Sequence, residues 1–375
     1  MKLADLSTPA LLLERGVLAR NAARMGDALA QRGVPLRLHV KTVKSVDAVR
    51  FALGSATAPI AVSTLREAEH FLAHGFRDLV YAVGLAPGKF ERVAGLVDAG
   101  ARPIVLLDDR ELAREWIRFC RGRGLEIPTL IEIDTDGRRA GLAPGAPVLT
   151  ELAADLEAAG LFEGLLTHAG GSYAARSVEG IKDSARRERD GIVHAAERLR
   201  AAGLPVPVVS LGSTPTALFG ESFDGVTEVR AGVFLCMDLV MAGLSVCEPG
   251  DIALSVLTSV IGHRAAEGRL ILDAGWMALS RDRGAGDPAR DLGYGVVCDA
   301  AGRPLEDVVV VETNQEHGIA AARSGPPLDV RRFPVGTRLR ILPIHACATA
   351  AQHAEFAVLD GGDEVLARWP RVQGW

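Results

Sequence analysis

Eight short aliphatic or β-branched runs alternate with longer stretches of helical periodicity from the first thirty-odd residues to Arg230, and no other feature of the chain restricts its fold so strongly. The runs are Pro35–Lys41, Ala58–Ser63, Asp78–Val83, Arg102–Leu107, Thr129–Asp134, Glu163–His168, Pro207–Leu211 and Val226–Arg230. Helical patterns lie at Leu18–Arg32, Val46–Leu53, Leu65–His74, Lys89–Ala99, Arg110–Arg123, Pro147–Ala159 and Val178–Ala202. Gly75, Gly100, Gly124, Gly160 and Gly203 stand just past the last apolar position of five of them, where a C-terminal cap belongs. Eight strands alternating with helices predict a parallel (β/α)8 barrel. A doubly wound sheet would need a glycine fingerprint after an early strand, and neither GxGxxG nor GxxxxGK[ST] occurs.

After Val240 the texture changes. Ile252–His263, Leu270–Ala274, Val308–Glu312 and Thr337–Pro343 read as strands separated by Gly-, Asp- and Pro-rich turns. We therefore expect a barrel over residues 14–245 and a β-rich domain from residues 1–13 and 246–375, with the strand Thr8–Leu13 able to pair with either part. With 48% hydrophobic and 24% charged residues in 375, the chain is ordinary globular material and not a disordered one. A net charge of −5 gives no general pull toward nucleic acid or an anionic membrane. The N-terminal apolar run, Ala10–Leu13, is too short for a signal core, and no later run has the length of a membrane span. Five scattered cysteines without CxxC spacing predict reduced thiols, and the expected location is the cytoplasm.

In a barrel of this type the chemistry sits at the C-terminal strand ends. The first strand closes with Lys41, and a lysine drawn out of water at the end of an apolar strand is a Schiff-base candidate; a surface lysine is the plainer reading, and Lys44 is given that role. The fifth strand runs into Asp134-Thr135-Asp136-Gly137-Arg138-Arg139, whose arginines either hold an acidic ligand or ring nitrogen, or pair with the two aspartates. The sixth ends at His168, before Gly170 and Gly171, which permit close approach of a ligand, and before Tyr173. The loop after the seventh strand, Gly212-Ser213-Thr214, offers small residues with N–H and hydroxyl groups, and Gly232 follows the eighth; phosphate sites in barrels are often built there. In the β-rich part His345 and Cys347 stand two apart after an apolar strand, so an extended backbone would let imidazole and thiolate share one metal ion; a buried cysteine beside a satisfied histidine is the plainer reading. The polar cluster Asn314 to His317 is either a further ligand source or a solvated turn.

The segments 37–45, 62–71, 131–141, 166–173, 210–218, 228–232, 273–284, 314–319 and 339–352 together resemble the D-serine dehydratase and D-threonine aldolase family of fold-type III pyridoxal-phosphate enzymes. They span almost the whole chain in order. The resemblance implies an alanine-racemase-like barrel that binds pyridoxal 5′-phosphate, a C-terminal β domain and a homodimer. It implies Lys41 as the Schiff-base lysine, Arg139 near the pyridine nitrogen, His168 and Tyr173 at the ring, and Ser213, Thr214 and Gly232 around the phosphate. His345 and Cys347 match metal ligands of the dehydratase branch, where thiolate favours Zn²⁺ over Mn²⁺ or Co²⁺. The implied activity is a lyase that removes water from a D-β-hydroxy amino acid: 3-hydroxyaspartate to oxaloacetate and ammonia, or D-serine to pyruvate and ammonia. Retro-aldol cleavage of D-threonine to glycine and an aldehyde is the alternative, and the aldolase branch often has Asp where this chain has Cys347. Leu38, Phe234 and Ile344 depart from the family's usual Pro, Tyr and Asn.

Overall fold

The computed structural model describes every residue except 56, 169 and 284–290, so Ala169 and Gly284, inside two of the matched segments, lie outside the described residues. The chain divides into two compact units: one built from residues 23–41, 53–232 and 372–375, the other from 1–22, 42–52 and 233–371.

In the order of the chain, β1 is Ala10–Glu14, and eight strands then form a closed parallel barrel: β2 (Leu36–His39), β3 (Ile60–Val62), β4 (Asp78–Gly84), β5 (Arg102–Leu107), β6 (Thr129–Ile133), β7 (Phe162–Thr167), β8 (Val208–Leu211) and β9 (Glu228–Ala231). The last closes on the first through Arg37↔Arg230 and Leu38↔Ala231. Ala61, Val80, Ile104, Leu106, Leu130 and Leu166 pack together as one core cluster. Alternation along each strand sets the opposite positions against the surrounding helices. The helices start where the sequence supplies caps. Thr64 accepts from the Glu67 N–H, Asp109 from Leu112 and Ser177 from Gly180. All five glycines expected to end helices take positive φ, Gly124 at +62°.

Not all of this barrel is apolar. Arg37 is buried and donates through Nε to Glu228 at 2.8 Å and through Nη1 to Asp78 at 2.5 Å. Ser210 donates to the other oxygen of Glu228 at 2.6 Å and accepts from the buried Arg230 at 2.5 Å. Each charge in this chain of contacts meets an opposite charge or a polar partner, the condition under which a barrel interior tolerates ions.

The second unit holds a nine-stranded sheet. Its members are β1 together with β10 (Leu254–Arg264), β11 (Arg269–Leu272), β12 (Gly295–Cys298), β13 (Pro304–Thr313), β14 (Gly318–Ala322), β15 (Arg338–Pro343), β16 (Glu355–Leu359) and β17 (Ala367–Pro370). β1 resolves the ambiguity in the sequence by pairing here, antiparallel to β10 and parallel to β16. Leu3, Leu6, Leu12, Leu257, Ala357 and Leu359 form its core cluster. All five cysteines are free thiols, four buried and Cys347 half-buried. No helix among the described residues is long and apolar enough to cross a membrane.

Candidate functional site

In the barrel unit the expected residues fall at the C-terminal strand ends. β2 stops at His39, two residues short of the expected end, so Lys41 lies in the turn beyond it and is half-buried rather than the last residue of a strand. His168 follows β7, and its Nδ1 lies 2.9 Å from the carbonyl of Gly212, the residue after β8. A carbonyl only accepts, so Nδ1 carries the hydrogen and Nε2 is left as an acceptor. Burial pushes His168 down to about 3, and Lys41, Arg139 and Arg230 press the same way against the bond to Gly212. The ring is therefore neutral at physiological pH with three cations around it. Tyr173 stands with its ring centre 6.2 Å from that of His168. Glu132, on β6, is raised to about 7 by burial and by Asp108, with Arg230 and Arg139 opposing.

The loop after β6 differs from the plainer reading of its arginines. Asp134 accepts from the N–H groups of Asp136 and Gly137, and Asp136 accepts from the Gly171 N–H at 2.6 Å. Asp134 Oδ1 and Asp136 Oδ2 thus accept from backbone N–H groups. Arg139 is exposed, its guanidinium against Gly170, and no ion pair joins it to either aspartate among the described residues. The glycine-serine loop also differs from the expectation of free N–H groups. Gly212 N–H donates to Glu188 at 3.2 Å and Ser213 N–H to the Thr216 hydroxyl at 3.0 Å. Ser213 is the N-cap of the short helix Thr214–Phe219, and its hydroxyl also meets Ser172 at 3.1 Å. A Cβ on Gly232 would lie 2.3 Å from the His39 carbonyl oxygen, so the absence of a side chain there serves strand packing directly.

These residues fit the group that the sequence implies. Two arginines, a lysine, a neutral imidazole and hydroxyls suit an anionic, ring-bearing cofactor with a carbonyl.

The other unit holds the His-x-Cys pair, in a form that the sequence reading did not foresee. His345 is the N-cap of the short helix Ala346–Ala350, and Cys347 lies in its first turn, so the two are not neighbours on an extended strand. They still meet. A hydrogen bond to Cys347 is the chief cause that lifts His345 to about 9, over the opposing effect of burial, with Asp282 adding to it. His345 Nδ1 lies 2.7 Å from Asp282 Oδ2, which leaves Nε2 for a metal, and Cys347 Sγ lies 3.1 Å from the Thr42 hydroxyl. Asp238 is buried beside this helix and accepts from the Ala346 N–H at 2.9 Å. Among the described residues no group of three or more His, Cys, Asp or Glu is arranged around a common metal position, and Asn314 to His317 are exposed. Imidazole and thiolate as two ligands, with a carboxylate orienting the imidazole, remain a donor set suited to zinc with open positions.

Asp282, Asp238 and Thr42 were missed as site residues in the sequence. Asp282 had one available signal: it lies between Arg281 and Arg283 in a matched segment.

Residues 14–239 match the alanine racemase N-terminal domain, and residues 253–359 match a putative serine dehydratase domain. Over 377 aligned residues the chain is 47% identical to the D-threo-3-hydroxyaspartate dehydratase of Delftia sp. (strain HT23), covering 100% of this chain and 99% of that protein. The chain belongs to the D-serine dehydratase family of alanine-racemase-like proteins. The structure of that Delftia dehydratase superposes with a TM-score of 0.96 over the full length of both chains. A cysteine-to-alanine variant of a D-threo-3-hydroxyaspartate dehydratase, 46% identical to this chain with a TM-score of 0.96, is known in a metal-free form. Within the same family, the D-serine dehydratase of Dictyostelium discoideum is 27% identical over 99% of this chain and 98% of its own. A D-threonine aldolase from Filomicrobium marinum is 27% identical with a TM-score of 0.86, covering 99% of this chain and 96% of that one.

Proposed function

We propose that this chain is a pyridoxal-phosphate-dependent lyase that removes water from D-threo-3-hydroxyaspartate to give oxaloacetate and ammonia, with D-serine as a second substrate. What carries the reading is the convergence of Lys41, Arg139 and Arg230 on a neutral His168 at the strand ends, in a chain 47% identical throughout to the Delftia dehydratase.

In this reading Lys41 would hold the cofactor covalently, Arg139 would serve its pyridine nitrogen, His168 and Tyr173 its ring, and Ser213, Thr214 and Gly232 its phosphate. His345 and Cys347 hold Zn²⁺, which soft thiolate ligation favours over Mn²⁺ or Co²⁺. When bound, the cofactor draws electrons from Cα of the amino acid, and the metal draws them from the β-oxygen. Lys41 Nζ would take the Cα proton once the substrate amine has replaced it on the cofactor and freed its lone pair. His168 keeps its Nδ1 hydrogen on the Gly212 carbonyl, so its ring stays fixed and uncharged through the step. Asp282 fixes the tautomer of His345. Arg283 is committed to Asp291 at 2.6 Å, and Arg138 lies along Gly171. Arg281 is exposed, with its guanidinium 5.3 Å from the centre of the Trp276 ring and no carboxylate partner among the described residues. It is the best placed of the three for the substrate's distal carboxylate. The working form is a homodimer.

The test is the product formed from D-threo-3-hydroxyaspartate, D-serine and D-threonine, with and without EDTA. EDTA-sensitive ammonia and oxo acid are expected. Glycine and acetaldehyde from D-threonine would instead establish the retro-aldol reading, which the full-length likeness to a D-threonine aldolase keeps second. Borohydride should fix the cofactor on the peptide containing Lys41, and fixation on another lysine would overturn that assignment.

A further inference from the structure

Arg371 follows the final strand of the sheet and is buried, 7% exposed. Its guanidinium is satisfied by backbone carbonyls. Nε donates to Val43 at 2.9 Å, Nη2 to Thr42 at 3.2 Å, and Nη1 to His353 at 2.7 Å and to Ala350. The plane lies over Phe356, 5.2 Å from the ring centre. Two of these carbonyls belong to the residues that directly follow Lys41. The other two are Ala350, the last residue of the helix Ala346–Ala350 that carries Cys347, whose carbonyl also accepts from the His353 N–H at 3.1 Å, and His353, three residues beyond that helix. Thr42 adds a second link, its hydroxyl 3.1 Å from Cys347 Sγ.

Among side chains, guanidinium has five donors fixed in one plane. A lysine ammonium is compact, with three donors on a flexible stem, and reaches one segment or the other. Burial of a cation is costly, and a single strut between two loops can be built from uncharged side chains. The arrangement therefore makes sense as a device for holding two particular segments in register.

We infer that Arg371 is a positioning residue that, with Thr42, locks the turn following Lys41 to the helix that presents Cys347. The inference rests on the assignment of Cys347 as a metal ligand and of Lys41 as the cofactor lysine. Arg371 touches neither substrate nor cofactor; it acts through the Thr42–Val43 backbone and the 346–350 helix.

The experiment uses the holoenzyme and its Arg371→Lys and Thr42→Val variants. It reads zinc affinity by chelator competition, the visible absorbance band of the bound cofactor, and the melting temperature. Arg371→Lys is expected to lose about 10- to 100-fold in zinc affinity and to shift the cofactor band, as loss of a ligand-orienting partner does. Thr42→Val, which leaves the guanidinium in place, is expected to lose about tenfold in zinc affinity. A lower melting temperature with unchanged zinc affinity and band would make Arg371 packing only and overturn the inference. If Arg371→Lys does not fold, Thr42→Val decides: wild-type zinc affinity in it overturns the lock. Cys347→Ala separates the two levels. Wild-type zinc affinity in that variant overturns the metal assignment and the inference with it, whereas failure in the Arg371 and Thr42 variants alone overturns only the lock.

Discussion

Replacing Asp282 by alanine removes the acceptor that fixes His345. The bond is short, 2.7 Å from Nδ1 to Oδ2, and charge-assisted. Hydrogen bonds to charged groups contribute about 1.5–3 kcal/mol when shielded. Here the side chains are 43% and 49% exposed, so water screens the pair and the lower end applies. About 1.4 kcal/mol corresponds to about tenfold in affinity. Asp282→Asn keeps an acceptor oxygen and loses only the charge, so about threefold is expected there. Chelator competition for zinc is the assay, with circular dichroism as the folding control. It should be run above pH 9, because His345 is raised to about 9 and a proton on the imidazole competes with the metal below that. Below that pH, loss of Asp282 also lets His345 shed its proton more readily, which partly masks the weaker orientation. Wild-type zinc affinity in Asp282→Ala at high pH would refute the orienting role. An equal loss in the Ala and Asn variants would show that charge alone, and not the acceptor geometry, is what His345 requires.

Further expectations concern the barrel and the substrate. Arg37→Met strips the partner from Glu228, whose side chain is 13% exposed, and should cost about 3 kcal/mol, with a lower melting temperature by calorimetry; Arg37→Met with Glu228→Gln should recover part of it. No loss in the single variant would mean that the buried ions are not coupled. His168 is held near 3 against an ordinary 6.5, so between those values the unfolded chain binds more protons than the folded one. Apoenzyme stability contributed by this residue is therefore complete above 6.5 and declines as pH falls toward 3; in urea titrations His168→Asn should flatten that slope, and an unchanged slope would contradict the burial. Arg281→Met should raise KM for D-threo-3-hydroxyaspartate by about 10- to 100-fold and leave that for D-serine near wild type, since only the former carries a second carboxylate. An equal effect on both substrates would remove Arg281 from distal recognition.

Much of the barrel was legible because its signal is local. The helix Arg110–Arg123 has the bounds that its periodicity predicts, and the barrel strands differ only at their ends. In the β unit the aliphatic run Thr337–Pro343 reads as a strand and is observed as Arg338–Pro343, but Gly318–Ala322 does not, since Gly-Ile-Ala-Ala-Ala has little intrinsic strand preference. That strand exists because β11 and β13 pair with both of its edges. The site divides in the same way. His168 and Gly232 directly follow barrel strands and Lys41 lies in the turn two residues past one, on the side where barrels carry their chemistry. Asp282 lies 63 residues from the histidine that it orients, and only the tertiary fold brings the two together. Arg371 reads in sequence as one more arginine near a chain end; its role depends on two turns more than three hundred and about twenty residues away.

Full-length relatives include dehydratases and an aldolase with the same two-part fold, at TM-scores of 0.96 and 0.86, so the fold does not choose between breaking C–O and breaking C–C. Both reactions need an electron-poor Cα, which under the proposed function is what the cofactor would supply. The choice must then lie with the groups that meet the β-substituent. A neutral His168 with its hydrogen tied to Gly212 has no proton to offer a departing oxygen. Under the proposed assignment the groups left for the β-oxygen are His345 and Cys347 and the metal that they would hold. Exchange of Cys347 for Asp, which keeps a ligand but hardens it, is accordingly the substitution most able to move the product ratio toward glycine. If Cys347→Asp binds metal and still releases only ammonia and oxo acid, the branch is set elsewhere, and the Arg281 contact to the distal carboxylate becomes the stronger determinant.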